Sequence, residues 1–401
     1  MSGAAERLFS AEQRAALLAL RQELHRHPEL AFQEQRTAAR LEQALRAVTP
    51  DVRRVAGTGV VARVPGRDAH APAVALRGDI DALPIAEATG ASFASETPGV
   101  MHACGHDVHA AWAVGAAHLL AAAPAAGDVL IVLQPAEEIG RGALAVLESG
   151  ALDGVRAIVG GHVDMRFAVG RVVADAGPIA ASTDQFAIEI VGHGAHAARP
   201  HEARDPIVAA AALVTALQTI VARRLPPGEP AVVTVGMISA GTAGNVIPER
   251  ARLGGTLRAI RPETRAALQG ELRAIAAAIA QAHGVEAEVS VETGTPPLVN
   301  APGPIAWARA AVTQLLGPDA LTSLPSPNLG GEDFAFYIER LPGCFIRIGA
   351  RAPGQEAIPA HTSRFLPDDG AIFVGAAVLG ETARRASAAM ENAEGRTQQA
   401  E

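Results

Sequence analysis

The sequence predicts an α/β fold with a central mixed, largely parallel sheet flanked by helices, into which a smaller ferredoxin-like unit is inserted. Apolar runs of strand length alternate with helical patterns from Gly59 to Val159, which favours a largely parallel sheet. Residues 183–295 then follow the βαββαβ order of a ferredoxin-like unit. At 401 residues with 49% hydrophobic content, the chain is long enough for two domains that each bury a core.

The elements of the larger domain follow from the spacing of apolar residues. Residues 11–48 have apolar positions at helical spacing, interrupted at His27-Pro28, so two helices are expected there. The next patterns predict strands Gly59–Val64 and Ala73–Leu76, a helix from Val108, strand Val129–Leu133, helix Ala143–Glu148 and strand Ala157–Val159. Beyond the inserted unit, we interpret the apolar runs Cys344–Ile348 and Ala371–Leu379 as further strands.

The inserted unit has its own succession of elements. It reads as strand Phe186–Val191, helix Pro206–Arg224, strands Ala231–Ile238 and Arg252–Ala259, helix Pro262–His283 and strand Glu286–Glu292. We therefore assign residues 1–182 and 296–390 to the larger domain and residues 183–295 to the insertion. Residues 391–401 are polar, and we expect a frayed tail there.

Composition excludes several classes of function. The net charge of -8 comes without a run of like charge, which argues against nucleic-acid binding and a polybasic membrane patch and favours a small-molecule partner. All 34 basic residues are arginine, so lysine Schiff-base chemistry and a P-loop lysine are excluded. Two cysteines and no signal-peptide pattern lead us to expect a cytoplasmic protein. The apolar, alanine-rich stretch 109–127 is interpreted as a buried helix rather than a membrane span.

A cluster of imidazoles marks the first candidate metal site. Four of the 13 histidines fall within a short stretch, namely His102, His106, His109 and His118. Cys104 and His106 bracket a glycine at a predicted loop-to-helix junction, so a thiolate and an imidazole could both reach one ion. A buried cysteine beside a helix-capping His-Asp pair explains this segment equally well.

Further candidate ligands follow the ends of predicted strands, where α/β sheets bind their ligands. Glu137 and Glu138 come after the strand ending at Leu133; in a metal hydrolase one would bind the ion and the other would take a proton from the attacking water. The alternative is a solvated acidic pair favoured by a helix dipole. With two more histidines, the set becomes Cys104, His106, Glu138, His162 and His361. Five such ligands suit two ions about 3.5–4 Å apart.

Other polar residues could support such a site. Asp79 and Asp81 lie on one side of an extended chain and could orient a ligating imidazole, although a turn with solvated aspartates is as consistent. In the insertion, His196 and Asn245 could donate to a developing oxyanion, and Arg258 could bind a carboxylate. Each of these three also has an ordinary structural explanation.

As a set, these motifs resemble the aminoacylase and carboxypeptidase-G type of dinuclear metallopeptidases, and within it the hippurate hydrolase and indole-acetyl-amino-acid hydrolase subgroup. The resemblance covers nearly the whole chain and rests on ELHRHPE, RGDIDALP, MHACGHDVHA, QPAEE, GHGAHAARP, GNVIPE, GGEDF and PAHTSRF, in the order and spacing of the family. It implies a catalytic domain and an inserted lid through which two copies dimerise, with a tetramer as a further possibility.

The resemblance also implies roles for individual residues. Cys104 would bridge two divalent ions, with Glu138 and His361 on one ion and His106 and His162 on the other. Manganese or zinc is expected, with cobalt or nickel as alternatives. Glu137 would act as general base and acid. His196 would reach the active site of the partner subunit, and Asn245 and Arg258 would hold the substrate.

The expected activity is hydrolysis of the amide bond of an N-acyl-amino acid, hippurate-like or a related conjugate, to a carboxylate and a free amino acid. A dipeptidase or carboxypeptidase acting on short peptides is the first alternative, and a binding protein with a decayed site is a remote one. The sequence departs from the subgroup where a His-Val-x-Pro run is usual and His162-Val-Asp-Met stands here instead, followed by Arg166. This departure bears on substrate specificity.

Overall fold

The computed structural model describes residues 2–398, which divide into two compact units. Unit 1 comprises residues 2–177, 300–325 and 336–398, and unit 2 comprises residues 178–299 and 326–335. Unit 2 thus extends a few residues beyond the predicted insertion at both ends. Residues 326–335, which the sequence assigns to the larger domain, belong to unit 2 because Asn328 forms a β-bridge with Ala180 and the amide of Ala181 donates to the carbonyl of Gly330 at 3.1 Å.

The helices and strands are named here in chain order. The helices are α1 (Ser2–Glu6), α2 (Ala11–Arg26), α3 (Gln35–Arg46), α4 (His106–Ala122), α5 (Gly142–Glu148), α6 (Pro206–Leu217), α7 (Pro262–His283), α8 (Pro302–Leu316), α9 (Ala335–Ile338) and α10 (Gly370–Gln398). The strands are β1 (Val52–Val55), β2 (Gly59–Val64), β3 (Ala73–Asp79), β4 (Val129–Gln134), β5 (Val155–Ala168), β6 (Val172–Val173), β7 (Gly177–Ala180), β8 (Asp184–Val191), β9 (Ala195–His196), β10 (Ala231–Ala240), β11 (Val246–Ile247), β12 (Arg250–Ala259), β13 (Glu286–Glu292), β14 (Leu298–Asn300), β15 (Leu321–Thr322) and β16 (Gly343–Arg351).

Unit 1 is built on one eight-stranded sheet in the order β1-β2-β4-β3-β5-β16-β6-β15. The four adjacent strands β4, β3, β5 and β16 run parallel to one another, while β2 pairs antiparallel with β1 and β4, and β6 pairs antiparallel with β16. The predicted mixed, largely parallel sheet flanked by helices is therefore confirmed. Its central strands are almost wholly buried, which explains their continuous apolar sequences.

The N-terminal helices form where the sequence predicts them. A reciprocal capping box starts α2, in which the amide of Gln13 donates to Ser10 Oγ at 3.1 Å and the amide of Ser10 donates to Gln13 Oε1 at 2.9 Å. The helix ends at Arg26, two residues before Pro28, as expected from the bias that proline imposes on the residue before it.

One predicted strand is a helix. Residues Ala371–Leu379 lie in α10, which packs against α4 in the main core of unit 1. A continuous apolar run fits a buried helix as well as a buried strand, and periodicity alone does not separate the two. The two helices approach closely at Gly375, where a Cβ atom would lie 2.3 Å from the ring of Trp112. Residues 391–398, predicted as a frayed tail, continue α10, and residues 399–401 of that predicted tail lie outside the described residues.

Unit 2 contains a four-stranded antiparallel sheet in the order β10-β12-β8-β13, packed against α6 and α7. The chain order βαββαβ and this strand order are those of a ferredoxin-like unit, as predicted. The predicted helix Pro206–Arg224 is divided, since α6 ends at Leu217 and a π-helical turn follows at Ile220–Arg224. Across the residues that the structure describes, no helix combines the length and apolar character that crossing a membrane requires.

Candidate metal centre

The central strands of unit 1 deliver polar side chains to one edge of the sheet. Strand β3 ends at Asp79, β4 ends at Gln134 three residues before Glu137, and His162 lies on β5. Because parallel strands present their carboxyl ends at the same edge, these side chains converge there. Helix α4 begins at the same place with His106.

The junction before α4 depends on Gly105. Its φ of +90° is left-handed, and a Cβ atom at this position would lie 2.6 Å from Val163 Cγ2. Only glycine meets both conditions without strain. The resulting sharp entry into the helix lets Cys104 and His106 face the same space, as the sequence spacing predicts.

The five predicted ligands meet in two groups that share one thiol. Within each group the ligand atoms lie within 4.8 Å of one another; the groups are Cys104 with His106 and His162, and Cys104 with Glu138 and His361. Cys104 Sγ lies 3.2 Å from His162 Nε2, and Glu138 Oε2 lies 3.4 Å from His361 Nε2. A further such group joins Glu137 to His106 and Glu138.

Asp81 orients two of these predicted ligands. Its Oδ1 lies 3.1 Å from His106 Nδ1, which is also 2.9 Å from the carbonyl of Asp81, so that nitrogen carries the proton and donates. Its Oδ2 accepts the backbone N–H of Glu138 at 2.9 Å. His162 is fixed in the same manner, since its Nδ1 donates to the carbonyl of Val163 at 2.7 Å. Both imidazoles therefore present Nε2 to the site.

Asp79 is hydrogen-bonded to two residues behind the predicted ligands, His109 and Arg77. Its Oδ1 accepts from His109 Nδ1 at 2.5 Å, and its Oδ2 accepts from Arg77 Nη1 at 2.5 Å. Burial by itself would raise the pKa of Asp79, but the Arg77 guanidinium and the hydrogen bond from His109 hold that pKa well below its ordinary value. His109 Nε2 accepts the backbone N–H of Val163 at 3.0 Å, so this histidine supports the backbone beside His162.

The donor set fits divalent metal ions. His106 Nε2 and Glu138 Oε1 are buried, lie 3.9 Å apart and have no hydrogen-bond partner within residues 2–398. Burial, together with the charge of Glu138, raises the pKa of the Cys104 thiol well above its ordinary value, so a thiolate here requires a nearby cation. Buried polar atoms are normally paired, and a cation would satisfy all three groups.

His361 is held by backbone contacts to neighbouring loops. Its φ is +63°, which is uncommon for a residue with a Cβ atom, and its amide donates to the carbonyl of Ala103 at 2.8 Å. Two residues later, the carbonyl of Ser363 accepts the amide of Ala88 at 2.7 Å. The imidazole is therefore anchored by the segment that carries Cys104 and by the loop that follows β3.

The segment that departs from the subgroup pattern after His162 contains an ion pair between Asp164 and Arg166. Asp164 lies two residues after His162 on β5, and its carboxylate binds Arg166 through Nε at 3.0 Å and Nη2 at 2.7 Å. The Arg166 guanidinium also lies 5.7 Å from the ring centre of Phe167. Since alternate residues of a strand face one side, this pair continues the row that begins with His162.

The three predicted substrate-binding residues lie in unit 2. Strand β9 pairs with β11, which places His196 opposite Val246, and the amide of Ala197 donates to the carbonyl of Asn245 at 3.1 Å. His196 and Asn245 are thus brought together, and both are exposed. Arg258 lies instead on β12 of the four-stranded sheet, where burial lowers the pKa of its guanidinium.

Some supporting residues escaped the sequence prediction. Gln134 joins Arg77 to Tyr337, because its Oε1 accepts from Arg77 Nε at 2.9 Å and from the Tyr337 hydroxyl at 3.0 Å. Glu34, far away in the chain, accepts the backbone N–H of Ala136 at 3.0 Å. Gln134 opens the QPAEE motif, but its role depends on partners distant in sequence, and no local sequence pattern marks Glu34.

Two groups of potential metal ligands that share a thiol, with a glutamate beside them at the carboxyl edge of a parallel sheet, are typical of a metal-dependent hydrolase. Sequence comparison places the chain within that class. It belongs to peptidase family M20/M25/M40, whose model matches residues 75–385. The chain is therefore a metal-dependent amidohydrolase.

Similarity extends over nearly the full length of several relatives. The chain is 40% identical over 377 residues to N-acetyl-L-cysteine deacetylase of Bacillus subtilis (strain 168), covering 92% of this chain and 88% of the relative. It is 33% identical over 368 residues to thermostable carboxypeptidase 1 of Saccharolobus solfataricus, covering 90% and 92%. The crystal structure of the Bacillus subtilis YXEP protein, a dinuclear metal binding peptidase from the M20 family, superposes with a TM-score of 0.83 at 37% identity, covering 94% of this chain and 98% of that one.

Proposed function

We propose that this enzyme hydrolyses the amide bond of N-acyl-amino acids, releasing a carboxylate and a free amino acid. The observation that carries the proposal is the pair of ligand groups sharing Cys104, with Glu137 next to the ligand Glu138. The 40% identity to a deacetylase of an N-acylated amino acid supports this substrate class. A hippurate-like acyl group is one member of the class.

The cluster would hold two divalent ions. Cys104 would bridge them, with His106 and His162 on one ion and Glu138 and His361 on the other, in accord with the two groups of neighbouring ligand atoms. Manganese or zinc fits this mixture of thiolate, imidazole and carboxylate, and cobalt or nickel is compatible with it. When bound, such ions polarise the substrate carbonyl and make the attacking water more acidic.

Glu137 moves the protons in this reaction. Its carboxylate takes one proton from the attacking water as the water oxygen bonds to the amide carbon. The same group then gives that proton to the amide nitrogen as the C–N bond breaks, so the amine leaves neutral and the carboxylate is restored. The half-buried position of Glu137, beside the ligands yet accessible, suits this exchange.

Unit 2 would bind the substrate and a second copy of the chain. His196 and Asn245 would donate to the developing oxyanion, and Arg258 would bind the amino-acid carboxylate. We propose a homodimer through this unit, because β10 is an edge strand that exposes Met237 by 72% and Ile238 by 57%. Exposed apolar side chains on an open edge are suited to pairing with another copy.

The location of the protein is proposed from its thiols. Both cysteines are buried and neither forms a disulfide. A ligand thiol such as Cys104 must stay reduced, which favours the cytoplasm.

Short peptides are a second candidate substrate class. The 33% identity to a thermostable carboxypeptidase over 90% of the chain favours it. A peptide bond is also an amide joined to an amino acid, so the same ligands and the same base would serve both reactions.

The decisive experiment measures amino-acid release from a panel of N-acyl-amino acids and dipeptides. The full chain is first stripped of metal with a chelator and then supplied separately with manganese, zinc, cobalt or nickel. We expect release from acylated amino acids to disappear on chelation and return with one of these metals. Faster release from dipeptides would transfer the assignment to the peptidase class. No release from either group, with no metal binding, would favour a decayed binding protein.

A further inference from the structure

The turn before the two glutamates contains a strained residue. Between β4 and Glu137 the backbone passes through Ala136 with a φ of +54°. A residue with a Cβ atom adopts this left-handed conformation at a cost in free energy, and the cost persists only where neighbouring contacts enforce it. Ala136 is fully buried, and its carbonyl accepts the amides of Gly142 at 3.0 Å and Arg141 at 3.3 Å.

The amide of Ala136 is bound by a carboxylate from a distant part of the chain. Glu34 Oε1 accepts the Ala136 N–H at 3.0 Å, and Glu34 Oε2 accepts the hydroxyl of Thr58 at 2.5 Å. Glu34 is 0% exposed, and this burial raises the pKa of its carboxyl group. Taking a carboxyl group out of water is unfavourable unless its oxygens are hydrogen-bonded, so these two contacts account for its position.

Helix capping does not explain the buried carboxylate. Glu34 is the N-cap residue of α3, but its side chain makes no capping hydrogen bond. The first amides of α3 are served by Glu29 instead, which accepts the N–H of Thr37 at 2.8 Å and that of Arg36 at 3.2 Å. The side chain of Glu34 is thus directed away from its own helix and toward the turn after β4.

We propose that Glu34 is a positioning residue for the turn at Ala136, which leads from β4 to Glu137 and Glu138. By binding the Ala136 amide it holds the left-handed conformation, which directs Glu137 and Glu138 toward the cluster. Asp81 completes the arrangement from the other side by accepting the amide of Glu138 at 2.9 Å. Glu34 is not a member of the candidate ligand groups, so it would act on them through the Ala136 amide. This role rests on the proposed functions of Glu137 and Glu138.

A set of four substitutions separates this role from simple structural support. Glu34→Ala removes the acceptor, and Glu34→Asp keeps the charge but shortens the reach by one methylene. Glu34→Gln keeps an oxygen acceptor in the same place. Ala136→Gly removes the cost of the left-handed conformation without removing any hydrogen bond. Glu29→Ala is the matched control, because it deletes a carboxylate of the same segment that binds amides of α3 and not the turn.

The primary measurement is Mn²⁺ affinity of the metal-free full chain by titration calorimetry, accompanied by kcat and KM. Loss of a hydrogen bond to a buried carboxylate predicts that Glu34→Ala and Glu34→Asp weaken one of the Mn²⁺ sites and lower kcat by about tenfold to a hundredfold, with little change in KM. Glu34→Gln and Glu29→Ala should stay within about threefold of the unmodified protein. Adding Ala136→Gly to either damaging variant should recover about fivefold.

The pattern of rescue decides the outcome. Ala136→Gly by itself should have little effect, because the turn is already held, so recovery only in the damaged background indicates positioning. Unchanged Mn²⁺ affinity in both Glu34→Ala and Glu34→Asp, or equal losses with and without Ala136→Gly, would overturn the proposal. If Glu34→Ala does not fold, Glu34→Asp alone supplies the comparison. Metal affinity is measured without substrate, so it tests Glu34 even if the amidohydrolase proposal fails on the substrate panel.

Discussion

Asp81 offers the sharpest test of how the ligands are oriented. Its two oxygens serve two different donors, His106 Nδ1 at 3.1 Å and the amide of Glu138 at 2.9 Å. In Asp81→Asn only one of the two terminal atoms remains an acceptor. The other becomes an NH₂ group that faces a donor, whichever way the amide is turned. Either His106 or Glu138 must therefore lose its hydrogen bond to this side chain, although His106 keeps the backbone carbonyl of residue 81 as an acceptor.

The size of the effect follows from these contacts. Losing a charge-assisted hydrogen bond in a buried site costs about 1.5–3 kcal/mol, which corresponds to a factor of about 10 to 100 in an equilibrium constant. Outer partners of metal ligands have effects of the same order, about 10–100-fold in metal affinity. We therefore expect Asp81→Asn to weaken Mn²⁺ binding by about that factor while the fold persists.

The assay is titration calorimetry of the metal-free protein with Mn²⁺, with thermal unfolding recorded in parallel. Asp128→Asn is a matched control, since Asp128 also accepts two hydrogen bonds, from Arg63 Nη1 at 2.7 Å and from the amide of Gly66 at 2.9 Å. It lies just before the start of β4, whereas Glu137 and Glu138 follow the end of that strand. Mn²⁺ affinity within twofold of the unmodified protein in Asp81→Asn would refute this account of ligand orientation.

Three further predictions address the junction, the base and the network behind the site. Gly105→Ala should lower the free energy of unfolding by at least about 2 kcal/mol in urea titrations, because it puts a side chain on a residue with left-handed backbone conformation and brings the new Cβ atom to 2.6 Å from Val163 Cγ2. A smaller loss would show that the junction relaxes easily. Glu137→Gln should keep its metal content by elemental analysis and lose about 10²–10⁴-fold in kcat, and near-normal turnover would exclude Glu137 as the base. Burial by itself would raise the pKa of Glu87, but hydrogen bonds from His25 and Thr89 lower that pKa to about 2. The contribution of Glu87 to stability is therefore complete above its ordinary pKa near 4.5 and is lost as the pH falls toward 2. The stability difference between the unmodified protein and Glu87→Gln should shrink over that interval in denaturant titrations, and a constant difference would contradict it.

Part of the predicted ligand set follows from the positions of its residues relative to the strands. Glu137 and Glu138 follow a strongly apolar strand, and His162 lies on another, so the rule that parallel strands gather ligands at one edge applies directly. The spacing of Cys104 and His106 suggested a shared ion but fitted a buried cysteine beside a helix cap equally well, and the other candidate ligands favoured the metal site. These inferences needed no knowledge of side-chain packing, and the structure brings all five proposed ligands into the two neighbouring groups.

Other features depend on packing that sequence patterns do not encode. Ala371–Leu379 lacks polar residues that would reveal a helical period, because α10 is enclosed by α4, α8 and the sheet. Glu34 has no pattern of its own, since its partner is an amide about a hundred residues away whose conformation is visible only in the folded chain. Its place one residue before α3 gives no signal either, because glutamate is not among the preferred N-cap residues.

The buried carboxylates around the site share an arrangement of hydrogen bonds that a stabilising role alone does not explain. Asp79, Asp81, Glu34 and Asp107 are at most 1% exposed, and each accepts hydrogen bonds from two partners. Burying so many charges costs free energy that an apolar core of equal volume would avoid. Their value is therefore geometric: each fixes two donors relative to one another, as Asp107 does for Arg21 and His25 on α2. These paired hydrogen bonds fix the orientation of His106 and of the turn that carries Glu138, and outer partners of this kind orient metal ligands.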